Sequence, residues 1–106
     1  MVIAATDITK IVLQILNESL HLSSDERLRF IDAELATAQK EGNYRPRIDE
    51  LLPQALESIV SNEYAKFRSP LNIDFDGNVF AAHTMLQSIC TEFTGLTAKG
   101  AALLGK

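Results

Sequence analysis

The stretch SSDERLRFIDAELATAQKEGNYRPRIDELLPQALESIV, residues 23–60, contains two segments of helical periodicity joined by a short polar hinge. Ser23 and Glu26 form a capping box, in which each side chain satisfies a free backbone N–H at the start of a helix. Gly42 is placed to end that helix in a left-handed conformation, and the hinge at residues 42–45 is short enough to turn the next helix back. The stretch therefore predicts an antiparallel helical hairpin.

The second arm of this hairpin contains two prolines. Pro46 suits a first helical position, where its missing N–H would have had no partner. Pro53 falls inside the helix, so either the helix kinks there or a separate turn precedes a helix that begins near Glu50. The apolar stripe keeps its phase across Pro53, which favours one kinked helix, and it continues more weakly through Tyr64 and Phe67.

Helical periodicity also flanks the hairpin. Apolar residues recur at a spacing of three and four over residues 8–20, and again over residues 79–96, where Gly95 is placed to end the helix. The remaining tail, LTAKGAALLGK, is either a frayed short helix or a flap docked on the other helices. Four helices with short connections predict an all-α fold, an antiparallel four-helix bundle with a short C-terminal tail.

Composition limits the class of protein. The 106 residues, 46% hydrophobic and 23% charged, suit one globular domain, residues 1–106. The net charge of -4 argues against a nucleic-acid partner, because phosphate binding needs a face rich in Lys and Arg. The single cysteine, Cys90, fits a reducing compartment, and the sequence shows neither a signal-peptide pattern nor a long apolar run. We therefore expect a cytoplasmic protein.

The loop LNIDFDGN, residues 71–78, is the segment that comes nearest to a metal site. Asn72, Asp74 and Asp76 fall at the first, third and fifth positions of a calcium-binding loop. The twelfth position is His83, where such a loop needs a glutamate that supplies two oxygens. We therefore predict a helix connection here and no metal site.

No catalytic or cofactor-binding residue can be named from the sequence. His83 and Cys90 lie seven residues apart on the predicted fourth helix, roughly 10 Å of rise, which is too far for a catalytic pair and the wrong spacing for two metal ligands. Both flank the apolar seam of this helix, so we expect their side chains to flank the core. The sequence has no Gly-rich phosphate loop, no G-x-S-x-G and no C-x-x-C. We therefore expect a binding protein that is not an enzyme, with no cofactor and no small-molecule substrate.

Two segments of the hairpin resemble the enterocin A immunity family, small cytosolic proteins that protect lactic acid bacteria from pediocin-like bacteriocins. LSSDERLRFIDAELATAQKEGNY is similar to the family's second helix, and RIDELLPQALESI to its third. The resemblance implies an antiparallel four-helix bundle. It also implies a protein, cytosolic or peripheral at the inner membrane face, that acts without catalysis on the mannose permease used by the bacteriocin as its receptor.

The resemblance further implies which part of the chain selects the bacteriocin. In the family this part is the C-terminal half and tail, which correspond here to the predicted fourth helix and residues 95–106, with Lys99, Leu103 and Lys106 as expected contacts. The expected partner is the membrane permease complexed with the bacteriocin. The residues alone also allow a helical adaptor or regulatory subunit that forms a homodimer through the fourth helix, and a calcium-responsive module.

Overall fold

The described part of the chain is predominantly helical, as predicted. The computed structural model describes residues 2–69, 71 and 79–105. The helices are α1 (Ala5–Glu18), α2 (Ser24–Gly42), α3 (Ile48–Ser61), α4 (Val79–Glu92) and α5 (Ala98–Leu103), and the strands are β1 (Ala65–Phe67) and β2 (Phe93–Leu96). The calcium-type positions Asn72, Asp74 and Asp76 lie outside the described residues.

The start of α2 shows the Ser23 half of the predicted capping box but not the bond from the Ser23 N–H to Glu26, and the left-handed residue at its end is one position later than predicted. The Ser23 hydroxyl accepts a hydrogen bond from the Glu26 N–H and donates one to the Glu26 carboxylate. At the other end Asn43, with φ of 44°, adopts the left-handed conformation expected of Gly42, because asparagine tolerates this region. A Cβ at Gly42 would overlap the ring of Tyr44, which would have to move to accommodate it.

The predicted start of α3 at Pro46 is wrong. Side chains accept hydrogen bonds from the free N–H groups of the next two residues, Arg47 and Ile48. The Arg47 N–H donates to the Glu50 carboxylate at 2.8 Å, and the Ile48 N–H donates to Gln39 Oε1 of α2, also at 2.8 Å. These two bonds place the first helical residue at Ile48. Pro53 lies inside α3, which runs on as one helix, as the uninterrupted apolar stripe predicted.

A two-stranded antiparallel ribbon replaces the predicted ends of the third and fourth helices. Ala65 pairs with Leu96 and Lys66 with Gly95, and the pairing becomes irregular before Phe67 meets Phe93. The predicted continuation of the third helix through Phe67 is therefore wrong, as is that of the fourth helix to Leu96. Two apolar residues at the end of a predicted helix are too short a segment for periodicity to distinguish a helix from a strand.

The core lies among the four longer helices. Helices α1 and α4 each pack against both α2 and α3, and the β-ribbon packs beside α1 through β2. The fully buried apolar residues come from all four of these helices: Ile8, Val12, Leu13, Leu16, Ile31, Leu56, Ile59, Leu86 and Ile89. Ala82, Leu86 and Ile89 of the α4 seam are therefore buried in the chain's own core.

Candidate partner-binding surface

The tail is a short helix that is docked on the turn after α3. Thr97 Oγ1 accepts a hydrogen bond from the Gly100 N–H at 3.1 Å and donates one to the Glu63 carbonyl at 2.6 Å. The Thr97 N–H donates to the Tyr64 carbonyl at 3.2 Å. One threonine therefore both caps α5 and joins it to the end of α3.

Gly100 lets α5 approach this turn closely. The residue is buried, and a Cβ at this position would overlap the carbonyl oxygen of Tyr64. One residue earlier, the Lys99 ammonium lies over the Tyr64 ring, 5.9 Å from its centroid, within the range of a cation–π contact. The helix is held by backbone contact and by one aromatic ring.

The two predicted contact residues on α5 border different cavities. Lys99 is exposed and lines a cavity of about 510 Å³ with Val60, Glu63 and Phe67. Leu103 is half-buried and lines a separate cavity of about 710 Å³, which lies between α1 and α2. The structure therefore does not bring Lys99 and Leu103 to one site, and Lys106 lies outside the described residues.

The larger of these two cavities is an open groove between α1 and α2, and residues at the end of α5 also line it. We call it the α1–α2 groove, and its lining consists of Lys10, Ile11, Gln14, Ile15, Glu18, Glu34, Ala38, Leu103, Leu104 and Gly105. Leu103 and Leu104 also pack against the core, as expected for a docked tail. This groove therefore contains both apolar surface and charged side chains.

A third cavity, of about 310 Å³, lies between α2, α3 and α4. Its polar lining includes Asp32, Asp49 and His83, above an apolar surface formed in part by Ile48 and Leu52. His83 was expected to flank the core, but its side chain is exposed beside this cavity. The described part of the chain contains no group of three or more His, Cys, Asp or Glu side chains that could hold a metal ion.

Arg27 is a buried residue that the sequence did not reveal. Its position outside the apolar stripe of α2 predicts exposure, yet its exposed fraction is only 7%. The guanidinium donates hydrogen bonds to four backbone carbonyls, those of Ser19, Leu20, Leu22 and Cys90. A carboxylate at helical spacing from Arg27 could have indicated a buried ion pair in the sequence. The acceptors are instead backbone carbonyls, which every residue has, so the sequence carries no signal for them.

Cys90 lies in the core, as expected. Burial raises the pKa of its thiol from 9.0 to about 12, although the positive charge of Arg27 acts in the opposite direction. The thiol is therefore protonated at neutral pH, a form in which cysteine is a weak nucleophile.

Comparison with known proteins adds no relative. No protein-family model matches the chain, and searches of curated proteins and of solved structures find no match. Across the ranges that the structure describes, no helix combines the length and the apolar character needed to cross a bilayer.

Proposed function

We propose that this chain is a bacteriocin immunity protein, which protects a cell from a pediocin-like bacteriocin by a non-catalytic contact at the mannose permease. The proposal starts from the resemblance of residues 22–44 and 47–59 to the second and third helices of the enterocin A immunity family. The observation that carries it is that these two segments coincide with α2 and α3, each as one uninterrupted helix with its own capping interactions.

The same proposal includes the arrangement of the helices. We infer that α1 to α4 form an antiparallel four-helix bundle. Support comes from the packing of α1 and α4, each against both α2 and α3, and from the short connections at residues 19–23 and 43–47. Such a closed ring of contacts leaves only the outer faces and α5 for a partner.

The contact surface that we assign to the permease and bacteriocin is the C-terminal helix. Lys99 is exposed and Leu103 is half-buried, so both can contribute to an interface without unfolding the core. Lys106 belongs to the same proposed set. The protein would act in the cytoplasm, at the inner face of the membrane, because the permease is embedded there.

Expression in a bacteriocin-sensitive strain tests the function directly. Cells that produce the chain should survive at least one pediocin-like peptide that kills the same strain with an empty vector. Immunoblotting should show equal amounts of wild-type and variant protein. Unchanged killing by every pediocin-like peptide tested, with the folded protein present, would contradict the proposal.

A paired substitution then tests the contact residues. Lys99→Glu should reduce survival, because it reverses an exposed charge in the proposed interface. Lys40→Glu, at an exposed position on α2, is the matched control and should leave survival unchanged. Equal survival of the two variants would remove Lys99 from the contact surface.

A further inference from the structure

The α1–α2 groove has an apolar floor that solvent reaches. Ile11, Ala38, Leu103 and Leu104 are only half-buried, and Ile15 between them is buried. These residues come from three helices and form one continuous lining. Apolar surface of this kind, bordered by polar residues, is typical of a site where another protein binds.

The length of the groove matches two turns of helix. Lys10, Gln14 and Glu18 follow one another at intervals of four along α1 and form one edge. From Lys10 to Glu18 the rise is about 12 Å, at 1.5 Å per residue. Two apolar side chains of a partner helix, one turn apart, fit into this length.

The other edge, on α2, combines apolar and acidic side chains. Phe30, Glu34 and Ala38 are also four residues apart and therefore lie along one row. Phe30 has an exposed fraction of 37%, and it extends the row by one turn beyond the groove. Glu41, exposed on the same side of α2, adds a further carboxylate.

Charge selects among possible occupants. The lining contains two carboxylates, Glu18 and Glu34, against one ammonium, Lys10, and the whole chain has a net charge of -4. The Gln14 amide donates a hydrogen bond to Glu18 at 2.7 Å, which holds that carboxylate at the edge of the groove. A basic partner would be attracted, whereas an anionic lipid surface would be repelled.

The shape of the groove argues against two other occupants, a second copy of this chain and an added β-strand. A two-fold contact between copies of this chain would bring the same concave surface of each together, and two facing grooves would enclose a void. The backbone hydrogen-bonding groups of α1 and α2 are used within the helices, so these walls cannot accept an added strand. A convex helix with its own apolar stripe fills the groove without either difficulty.

We propose that the α1–α2 groove binds a basic amphipathic helix of a second protein. Its apolar residues lie on Ile11, Ile15 and Leu103, and its Lys or Arg side chains lie beside Glu18 and Glu34. This inference goes beyond the proposed immunity function, because it assigns a ligand class to a surface that shares Leu103 with the proposed permease contact but does not include Lys99.

A designed peptide tests the proposal. The probe is a fluorescently labelled helical peptide of about 18 residues, long enough to form a helix, made of leucine, alanine and lysine with leucines at a spacing of three and four. Its fluorescence anisotropy should rise saturably on titration with the protein. The same peptide with glutamate in place of lysine should bind at least about tenfold more weakly, because rim charges of the wrong sign oppose association.

Variants locate the binding site. Ala38→Trp fills the groove and should weaken binding of the basic peptide at least about tenfold, whereas Ala33→Trp, exposed on the same helix outside the groove, should not. Glu34→Gln should weaken binding about threefold in low salt and less in high salt, whereas Glu57→Gln on α3 should have no effect. Circular dichroism melting verifies that each variant is folded.

Three results with the peptides, and one by light scattering, would overturn the proposal. The peptide results are the absence of saturable binding of the basic peptide, equal affinities of Ala38→Trp and Ala33→Trp, and binding of the acidic peptide as tightly as the basic one. Light scattering that shows a dimer which Ala38→Trp dissociates would assign the groove to a second copy instead. Since none of these measurements uses living cells, they can fail while the survival assay succeeds, and the reverse.

Discussion

Arg27 places a positive charge in the interior, and the hydrogen-bond acceptors that surround it among the described residues are backbone carbonyls. The carbonyl of Cys90 lies in the last turn of α4, and that of Ser19 directly follows α1. Carbonyls at the C-terminal end of a helix lack intrahelical partners and carry partial negative charge. The guanidinium therefore satisfies the ends of two helices and joins both to α2.

Replacement of Arg27 tests this role. Arg27→Met should lower the free energy of unfolding by about 2–4 kcal/mol, because it leaves several buried carbonyls without donors. Arg27→Lys should restore only part of the loss, since an ammonium cannot reach four carbonyls as a planar guanidinium does. Urea denaturation measures both.

The matched control is Arg29→Met, at an exposed position two residues along α2, which should change stability by less than about 0.5 kcal/mol. Equal stability of the Arg27 and Arg29 variants would show that the buried hydrogen bonds contribute nothing.

Cys90 predicts a dependence of stability on pH. Its pKa is about 12 in the folded chain against 9.0 for an exposed thiol, so the unfolded state loses its proton first as the pH rises. The free energy of unfolding should therefore fall between pH 9 and 12, by up to about 1.4 kcal/mol per pH unit. Urea denaturation in this range should show a steeper decline for the wild type than for Cys90→Ala. Parallel declines would show that the thiol is not protected by burial.

At the scale of elements, α5 and the β-ribbon form one connected unit. Helix α5 follows β2 directly, and Thr97 joins both to the end of α3 through the carbonyls of Glu63 and Tyr64. Six residues of isolated helix would not be stable in water. The helix therefore depends on its tertiary contacts.

Gly100→Ala should undock α5. Alanine favours a helix more than glycine does, yet its Cβ would overlap the Tyr64 carbonyl, so we expect a loss of about 1–3 kcal/mol in the free energy of unfolding. Trypsin should then cleave after Lys99 faster than in the wild type. Ala102→Ser, at an exposed position of the same helix, is the control. A Gly100→Ala protein that is more stable than the wild type would mean that α5 is not packed against this turn.

At the scale of the whole molecule, the four longer helices hold the core and the C-terminal helix covers part of it. Every fully buried large apolar residue named above belongs to α1, α2, α3 or α4. Leu103 and Leu104 add contacts at the edge of this core. The fold therefore rests mainly on α1 to α4, whereas the proposed permease contact lies on α5.

Deletion of residues 97–106 tests whether the proposed permease contact can be removed while the fold is kept. The truncated protein should keep most of its helical circular dichroism signal and unfold at a lower temperature, because Leu103 and Leu104 no longer cover the core. In the sensitive strain it should give no protection. Loss of the helical signal would show that α5 is required for folding, and full protection would exclude the tail from the contact surface.

The sequence by itself determined where the helices lie and that the fold is predominantly helical, because caps and apolar periodicity act over a few neighbouring residues. It located the Ser23 cap, the uninterrupted stripe across Pro53 and the burial of Cys90. It could not predict the end of α3 at Ser61 or the end of α4 at Glu92, since the strands that follow them are formed by pairing between segments far apart in the sequence.

Only the tertiary structure decided which residues outside the apolar stripes are buried and where the tail docks. Arg27 meets Cys90 across sixty-three positions of sequence, and Thr97 meets Glu63 across thirty-four. The acceptors in both cases are backbone carbonyls, which every residue has. No pattern of side chains in the sequence can therefore predict these hydrogen bonds. The α1–α2 groove arises in the same way, from three helices whose sequences separately predict only an apolar face and a polar one.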